Sequence, residues 1–349
     1  MDDSVENWSA FDAAAKEASL RSESESWDTS APVDAEPGDI PVIDVSAYLA
    51  TRDAQARAEV AVKLTHACET VGFWQLVGHG IARETIDHMF RAVRAFHALP
   101  LEVKEQVRMD RTDWPLGGVG YLPLGNRKLP RRAKGNLNEA FVLKGDRDIT
   151  SEDNQWLPEA EAPGFRSTVE GFAGTLENLA LRLLPIYAVA LGVEPDFFAA
   201  GFRHPFWRLR MTHYPIDDSA RGSDEEFGIA PHVDTTFFTL LLQDSPGLTI
   251  YSTPRDRWVN VPLVENAFVV NSGELLKQWT NDRFLSVRHF ANADRANVDG
   301  TASRYSIPFF VNATRDYPME CIPTCTDETN PPRYSTITYN ESQGVIQGE

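Results

Sequence analysis

The most constraining feature of this 349-residue sequence is a series of short apolar runs in its second half. The runs cover residues 237–242, 248–251, 258–261, 268–271, 284–289 and 305–311. Turn-forming residues separate them, for example Pro246-Gly247 and Asn281-Asp282. Short apolar runs between turn signals are typical of buried strands, and several at this spacing indicate two packed sheets. The second half of the chain is therefore predicted to be mainly β.

The first half shows helical as well as strand-like periodicity. Residues 54–71 and 86–96 carry apolar side chains at helical spacing, whereas residues 73–77 form a strand-like run. A longer amphipathic helix is predicted after Pro163, where apolar residues again fall on one stripe. The fold class predicted from these patterns is α+β, mainly β, with helices that support the sheets.

One extended segment carries an imidazole and a carboxylate two residues apart. His232 and Asp234 would project to the same side of a strand, where both can contact one metal ion. This tripeptide is common, so it is weak evidence on its own. His289, on the predicted strand 284–289, is the candidate for a third ligand. Two histidines and one carboxylate leave one face of an octahedral ion open, as in non-haem Fe(II) oxygenases.

A second pair of polar residues lies further along the chain. Arg304 and Ser306 also share one face of a predicted strand. A guanidinium can bind a carboxylate through two parallel hydrogen bonds, and a hydroxyl two residues on can add a third. A metal site followed by such a pair indicates an organic acid that chelates the metal and is held by its far carboxylate.

At these residues the sequence resembles the isopenicillin N synthase-like branch of the Fe(II)/2-oxoglutarate-dependent oxygenases. The segments that carry the resemblance are HVDTTFFTLLLQDSPGLTIY, VVNSGELLKQWTND, SVRHF and SRYSIPFF, together with IPVID and GFWQLVGHGI near the amino terminus. It extends over residues 40–340. The resemblance implies a double-stranded β-helix, or jelly-roll, core that encloses a pocket between its sheets.

The resemblance also implies the chemistry of the site. The implied metal ligands, which are also the catalytic residues, are His232, Asp234 and His289. Tyr214 matches a family tyrosine whose hydroxyl joins Arg304 and Ser306 in holding 2-oxoglutarate, the co-substrate. Fe(II) and O2 complete the expected set. The expected reaction is oxidation of a small molecule by hydroxylation, desaturation or ring formation in specialised metabolism, with release of succinate and CO2.

Two alternatives remain open at this stage. An oxidase of the same fold would not use 2-oxoglutarate, and Arg304 and Ser306 would then bind the carboxylate of the substrate itself. Succinate formation separates this alternative from the first. A binding protein without catalytic activity is the other alternative, and the intact metal-ligand set argues against it.

The charge distribution divides the chain. Residues 1–39 contain eleven acidic and two basic side chains and few large apolar ones, so a disordered acidic tail is predicted there. Residues 40–340 are predicted to form a single oxygenase domain. Its amino-terminal part covers residues 40–205, and the part that binds Fe and 2-oxoglutarate covers residues 206–315. A second tail is predicted at residues 341–349.

Composition limits the partners and the compartment. The formal net charge of −18 argues against nucleic acid, because a binder needs basic surface to neutralise phosphates. Three cysteines are too few and odd in number for a disulfide framework. No apolar run reaches the length of about 18 residues that a membrane span needs. We therefore expect a soluble, cytoplasmic protein that acts on a small molecule, without a membrane partner.

Two further groups of residues have a plainer interpretation. A basic cluster in a loop-rich region is predicted to be solvated, with attraction of an anionic substrate as the alternative. Its members are Arg127, Lys128, Arg131, Arg132 and Lys134. Several other histidines are predicted to be packing or surface residues rather than ligands. These are His66, His79, His88 and His97. His213 is predicted to point away from the strand face that Thr212 and Tyr214 share, which makes it a poor candidate ligand.

Overall fold

A computed structural model of the chain describes residues 32–111, 113, 116–125, 136–215, 227–291 and 303–343. Among these residues the α-helices are α1 (Ser46–Thr51), α2 (Ala54–Thr70), α3 (Arg83–His97), α4 (Leu101–Lys104), α5 (Phe165–Ala190), α6 (Glu274–Trp279) and α7 (Tyr339–Ser342). The strands are β1 (Val33–Asp34), β2 (Val42–Asp44), β3 (Phe73–Val77), β4 (Gly120–Leu122), β5 (Glu139–Gly145), β6 (Phe206–Tyr214), β7 (Ile229–His232), β8 (Phe238–Gln243), β9 (Leu248–Ser252), β10 (Arg257–Asn260), β11 (Phe268–Ser272), β12 (His289–Ala291) and β13 (Arg304–Asn312).

The larger sheet runs in the order β2-β3-β11-β8-β13-β6-β5-β4 within the described ranges. Strand β13 lies near its centre, antiparallel to both β8 and β6. This register places Ser306 opposite Gln243 on one side and Thr212 on the other, and it places Arg304 opposite Tyr214. Cross-strand neighbours face the same side of a sheet, so these polar side chains gather on one face.

The smaller sheet runs in the order β1-β10-β9-β12-β7. Strand β12 is antiparallel to β7 and β9, which places His289 opposite His232. The two sheets and their supporting helices agree with the predicted mainly β class. The two candidate histidines therefore come from the smaller sheet, and the residues suited to binding a carboxylate come from the larger one.

Helix α5 supports the outer face of the larger sheet, as the apolar stripe after Pro163 predicts. Leu176 and Leu183 on this stripe are buried. Tyr187 stacks on Phe238 of β8, with 5.2 Å between the ring centroids. The main hydrophobic core lies between the helices and this face, which leaves the opposite face for polar residues. Among the described helices, none combines the length and apolar character needed to cross a membrane.

The structured part of the chain begins earlier than the sequence predicts. The boundary of the tail at residue 39 is wrong, because Val33 and Asp34 form β1 and pair in parallel with β10. Arg255 binds the carboxylates of Glu36 and Asp39, with N–O distances of 3.1 and 2.6 Å. Glu36 and Asp39 thus form ion pairs with the folded part of the protein. Residues 1–31 lie outside the described residues.

The predicted strand 284–289 is wrong except at its last residue. Residues 284–288 are not in a strand, and β12 begins at His289. The backbone N–H of Leu285 donates to the carbonyl of Cys68 at 2.9 Å, and that of Phe284 donates to the hydroxyl of Thr280 at 3.1 Å. Because these groups bond outside any ladder, the apolar run packs as an irregular segment.

Both halves of the chain contribute to the larger sheet. Strand β3 pairs with β11, and β5 pairs with β6. We therefore propose that the two halves form one domain, as predicted for residues 40–340. The predicted tail at residues 341–349 begins too early, because residues 341 and 342 belong to α7. Residues 344–349 lie outside the described residues.

Candidate metal centre

The three predicted metal ligands lie together. His232 is the last residue of β7, and Asp234 follows outside any strand, so only the first of the pair has the predicted strand position. The Nε2 atoms of His232 and His289 lie 3.6 and 3.7 Å from Oδ1 of Asp234. All three ligand atoms fall within 4.8 Å of one another. One metal ion can therefore contact all three residues.

The second nitrogen of each imidazole fixes which nitrogen is protonated. His232 Nδ1 lies 2.8 Å from the carbonyl of Ala230, and His289 Nδ1 lies 3.1 Å from the carbonyl of Val287. A carbonyl can only accept, so each Nδ1 carries a hydrogen, and in the neutral ring of each histidine the lone pair is then on Nε2. Both lone pairs are thus available on the side of Asp234, as metal binding requires.

Asp234 is buried and is oriented by two neutral donors. Its Oδ2 accepts from the hydroxyl of Thr239 at 2.7 Å and from the side-chain amide of Asn271 at 2.8 Å. Burial alone would raise the pKa of Asp234, but the neighbouring imidazoles and the hydrogen bond from Asn271 outweigh burial and hold it below its usual value. Burial lowers the pKa of His289 to about 4. An ionised carboxylate beside a neutral imidazole is the charge state in which both groups bind metals.

The amino end of α6 holds the loop that carries Asp234. The backbone N–H of Glu274 donates to the carbonyl of Asp234 at 2.7 Å, and that of Gly273 donates to the carbonyl of Phe237 at 3.1 Å. A Cβ atom at Gly273 would lie 2.1 Å from the carbonyl oxygen of Thr236. Only glycine allows this close approach of the two backbones, which fixes the loop against the helix.

Three residues of the larger sheet form what we call the carboxylate clamp: Arg304, Ser306 and Tyr214. Arg304 is 1% exposed, and its Cζ lies 4.6 Å from the centroid of the Tyr214 ring. Its Nε donates to the carbonyl of Ser245 at 3.4 Å, and its Nη2 donates to Oε1 of Gln243 at 3.1 Å. The hydroxyls of Tyr214 and Ser306 are 3.4 Å apart. The predicted trio is thus brought together.

The residues present fit both an iron ion and an organic acid. Two imidazole nitrogens and one carboxylate oxygen form a ligand set that suits Fe(II). Arg304 Nη1 is buried and has no hydrogen-bond acceptor among the described residues. Buried guanidinium N–H groups are nearly always hydrogen-bonded, and a carboxylate supplies acceptors in the matching geometry.

A second group of the same residue types lies on the opposite face of the larger sheet. His97, Glu139 and His213 also bring ligand atoms within 4.8 Å. Lys104 Nζ and the hydroxyl of Tyr121 bind Oε2 of this glutamate at 2.8 and 2.6 Å. The ammonium of Lys104 already balances the carboxylate of Glu139. Burying the additional charge of a metal ion there would cost on the order of several kcal/mol. We therefore treat the second group as a structural network.

Further polar residues share the face of the carboxylate clamp. Arg210 donates to Oδ1 of Asn138 at 2.7 Å and to the hydroxyl of Thr212 at 3.2 Å. Arg210 and Thr212 share one face of β6, and Asn138 lies directly before β5, the neighbouring strand. The two-residue spacing along β6 marks Arg210 and Thr212, whereas only the strand register reveals that Gln243 and Asn138 lie close to them. The predicted basic cluster, by contrast, lies outside the described residues.

The family models match two long segments of the chain. Residues 40–159 match a family described as the non-haem dioxygenase in morphine synthesis N-terminal domain. Residues 207–313 match the 2OG-Fe(II) oxygenase superfamily. The second match contains all three candidate metal ligands and the whole carboxylate clamp.

Curated relatives and solved structures cover most of the chain. The 2-oxoglutarate-Fe(II) type oxidoreductase hxnY of Emericella nidulans is 31% identical over 314 residues, which are 86% of this chain and 87% of that protein. A 2-oxoglutarate-dependent dioxygenase of Didymella fabae is 29% identical over 80% of this chain and 87% of that protein. A full-length Neurospora crassa protein, solved in complex with alpha-KG, has a TM-score of 0.77 and 27% identity and covers 89% of this chain and 97% of its own. The structural likeness confirms the predicted jelly-roll fold class.

Proposed function

Because this chain belongs to the 2-oxoglutarate–Fe(II) oxygenase superfamily and is an Fe(II)- and 2-oxoglutarate-dependent dioxygenase, we propose that His232, Asp234 and His289 bind its iron. We further propose that the carboxylate clamp binds the distal carboxylate of 2-oxoglutarate. The observation that carries both assignments is the geometry around Asp234: the Nε2 atoms of two histidines face one oxygen of a buried carboxylate. A buried arginine with an open N–H lies on the facing sheet.

The protein's own part in the reaction is to bind and to orient. Hydrogen bonds from Thr239 and Asn271 hold Oδ2 of Asp234, so that Oδ1 stays on the side of the imidazoles. Backbone carbonyls hold the two histidine rings in the tautomer whose Nε2 can bind a metal. The clamp fixes the far end of the acid, which sets the position of its near end relative to the metal ligands.

When bound, Fe(II), 2-oxoglutarate and O2 supply an oxidative decarboxylation that yields succinate and CO2 and is coupled to oxidation of the substrate. Burial of Asp234 and Arg304 keeps bulk water away from both ends of the site. Exclusion of water strengthens the charge pairing within the site and limits side reactions.

We infer that the substrate is a small molecule of specialised metabolism. Structures of the Neurospora protein contain thymine and 5-formyluracil, which supports a small substrate for this chain as well. Arg210 and Asn138, buried on the face of the clamp, are the residues we expect nearest to such a substrate. Both can hydrogen-bond to carbonyl or carboxylate oxygens.

The alternative of an oxidase that does not use 2-oxoglutarate is not favoured. The relatives at 31% and 29% identity carry names that include 2-oxoglutarate, and the Neurospora structure contains alpha-KG. A binding protein without activity is not favoured either, because the ligand set is intact and each ligand has the support that metal binding requires.

The test is difference absorption of the Fe(II) protein without oxygen. We expect 2-oxoglutarate to produce a visible charge-transfer band in the wild type. In Arg304→Ala the band should require at least about tenfold more 2-oxoglutarate, because loss of a hydrogen-bonded charge pair costs about 1.5–3 kcal/mol. Arg304→Lys, which keeps the charge but not the planar fork, should lie between the two. Iron binding without any band in the wild type would instead support the oxidase.

We also propose a cytoplasmic location without a nucleic acid or membrane partner. Cys68, Cys321 and Cys325 are buried free thiols, which suits a reducing compartment. The net charge of −18 opposes binding to phosphate backbones. Fractionation of cells that produce the protein tests the location, and recovery with the membrane fraction would contradict it.

A further inference from the structure

Gln243 is the last residue of β8 and lies directly opposite Ser306 of the carboxylate clamp. Residues opposite one another on neighbouring strands place their side chains on the same face, close together. Gln243 is 9% exposed, so its amide lies in the protein interior. The glutamine therefore belongs spatially to the clamp, although its spacing from Arg304 and Ser306 in the sequence does not predict this.

The neighbouring arginine determines the orientation of the Gln243 amide. Arg304 Nη2 donates to Oε1 of Gln243 at 3.1 Å. A guanidinium carries only donors, so the amide atom that faces it must be the oxygen. The nitrogen of the amide, Nε2, is then left to donate to another acceptor.

Two buried donors at this point have no acceptor in the described part of the chain. Gln243 Nε2 and Arg304 Nη1 are both buried and unpartnered among the described residues. They belong to two side chains that are hydrogen-bonded to each other, so both vacant N–H groups lie beside the same contact between Arg304 and Gln243. Buried polar groups are nearly always hydrogen-bonded, and a pair of adjacent exceptions indicates an acceptor-only ligand.

We propose that Gln243 is a further 2-oxoglutarate-binding residue: its Nε2–H donates to the same distal carboxylate that Arg304 binds, while its Oε1 positions the guanidinium. This inference rests on the proposed function of the clamp. The two donors, Gln243 Nε2 and Arg304 Nη1, make the site specific for an acid that ends in a carboxylate, because a carboxylate accepts hydrogen bonds from both. A 2-oxo acid that ends in a methyl group would leave both donors unpaired.

The experiment measures binding rather than turnover. Mn(II) replaces Fe(II), and the Kd values of 2-oxoglutarate and of 2-oxobutanoate, which lacks the distal carboxylate, are determined by calorimetry. Gln243→Met removes both hydrogen-bonding groups at similar size and should weaken 2-oxoglutarate about five- to tenfold. Gln243→Glu keeps an oxygen for Arg304 but replaces the donor by a negative charge, and it should weaken 2-oxoglutarate more than tenfold. The Kd of 2-oxobutanoate should change less than twofold in both.

Controls separate this inference from its premise. Gln343→Glu changes another buried glutamine, which bonds to Ser342 instead, and should leave the Kd unchanged. If a Gln243 variant fails to fold, judged by circular dichroism, Gln243→Asn retains the amide and shortens its reach, with the same expected direction. Kd values within twofold of the wild type in all folded variants would overturn the role of Gln243. Absence of 2-oxoglutarate binding to the wild type itself would overturn the proposed function instead.

Discussion

At the scale of single residues, the candidate site depends on side chains that never contact the metal. Asp234 has two oxygens, and Thr239 and Asn271 both bind the same one. Their hydrogen bonds therefore decide which oxygen is presented to the imidazoles. Groups in this supporting position typically change metal affinity by about 10- to 100-fold when they are removed.

Thr239→Val tests this support with almost no change of side-chain size. It removes the 2.7 Å hydrogen bond to Asp234 but leaves Asn271 in place. We expect Fe(II) affinity to fall about tenfold, or about 1.4 kcal/mol, measured by competition with a metal chelator. Thr65→Val is the matched control, because the hydroxyl of Thr65 bonds only to backbone carbonyls of helices α2 and α5. Equal affinities of Thr239→Val and wild type would contradict the supporting role.

The sequence predicts the ligands but not their supports, and the reason is physical. His232 with Asp234, and Arg304 with Ser306, are two residues apart, so local backbone geometry alone brings each pair together. Gln243 reaches the clamp only through the register between β8 and β13. That register is determined by the packing of whole strands, which no short motif encodes.

At the scale of elements, the strands of the larger sheet serve two sites because alternate residues face opposite sides. Thr212 and Tyr214 of β6 lie on the face of the sheet that carries the clamp, whereas His213 between them bonds to Glu139 on the other face. The sequence predicts correctly that His213 points away from Tyr214. It does not predict that His213 meets His97, since this contact depends on how α3 packs on the sheet.

The network around Glu139 predicts how stability depends on pH. Burial raises the pKa of Glu139, but its contacts with His213, His97 and Lys104 outweigh burial and hold it well below its usual value. Its contribution to stability is therefore complete above about pH 4.5 and is lost on acidification. Burial also lowers the pKa of His97, so the fold favours the neutral ring. Protonation of His97 and protonation of Glu139 both destabilise the folded state. The free energy of unfolding should therefore decrease as the pH falls below about 6.5.

Glu139→Gln should lower the free energy of unfolding at neutral pH by about 3–5 kcal/mol, because it leaves the buried ammonium of Lys104 without its carboxylate. It should also flatten the acid limb of the stability curve below about pH 4.5. Denaturant titrations across this range measure both effects. Glu177→Gln is the control, since its amide oxygen can still accept from Trp207. An unchanged acid limb in Glu139→Gln would show that other groups cause it.

At the scale of the whole molecule, the proposed site exists only when both sheets are assembled. His232 and His289 belong to the smaller sheet, whereas the carboxylate clamp belongs to the larger one. The run of short strands in the second half predicts two sheets. It cannot predict that β3 and β5 from the first half extend the larger sheet, because long-range strand pairing leaves no periodic signal in either partner.

This division between sheets predicts a two-step stabilisation by ligands. At the proposed site a metal alone would contact the smaller sheet and Asp234, whereas 2-oxoglutarate would also contact Arg304 on the larger sheet. Each ligand at 100 times its Kd should raise the free energy of unfolding by about 2.7 kcal/mol. Unfolding in denaturant with Mn(II), and then with Mn(II) and 2-oxoglutarate, measures the two increments.

Two variants separate the increments because they remove contacts from different sheets. Arg304→Ala should keep the stabilisation by Mn(II) and lose most of the further increment from 2-oxoglutarate. Asp234→Ala should lose both, since without a bound metal the acid has only its distal carboxylate to hold it. Full stabilisation of Asp234→Ala by 2-oxoglutarate would mean that the acid binds without the metal. The site would then be a carboxylate-binding pocket on the larger sheet alone, and the two sheets would not be coupled through a shared ligand.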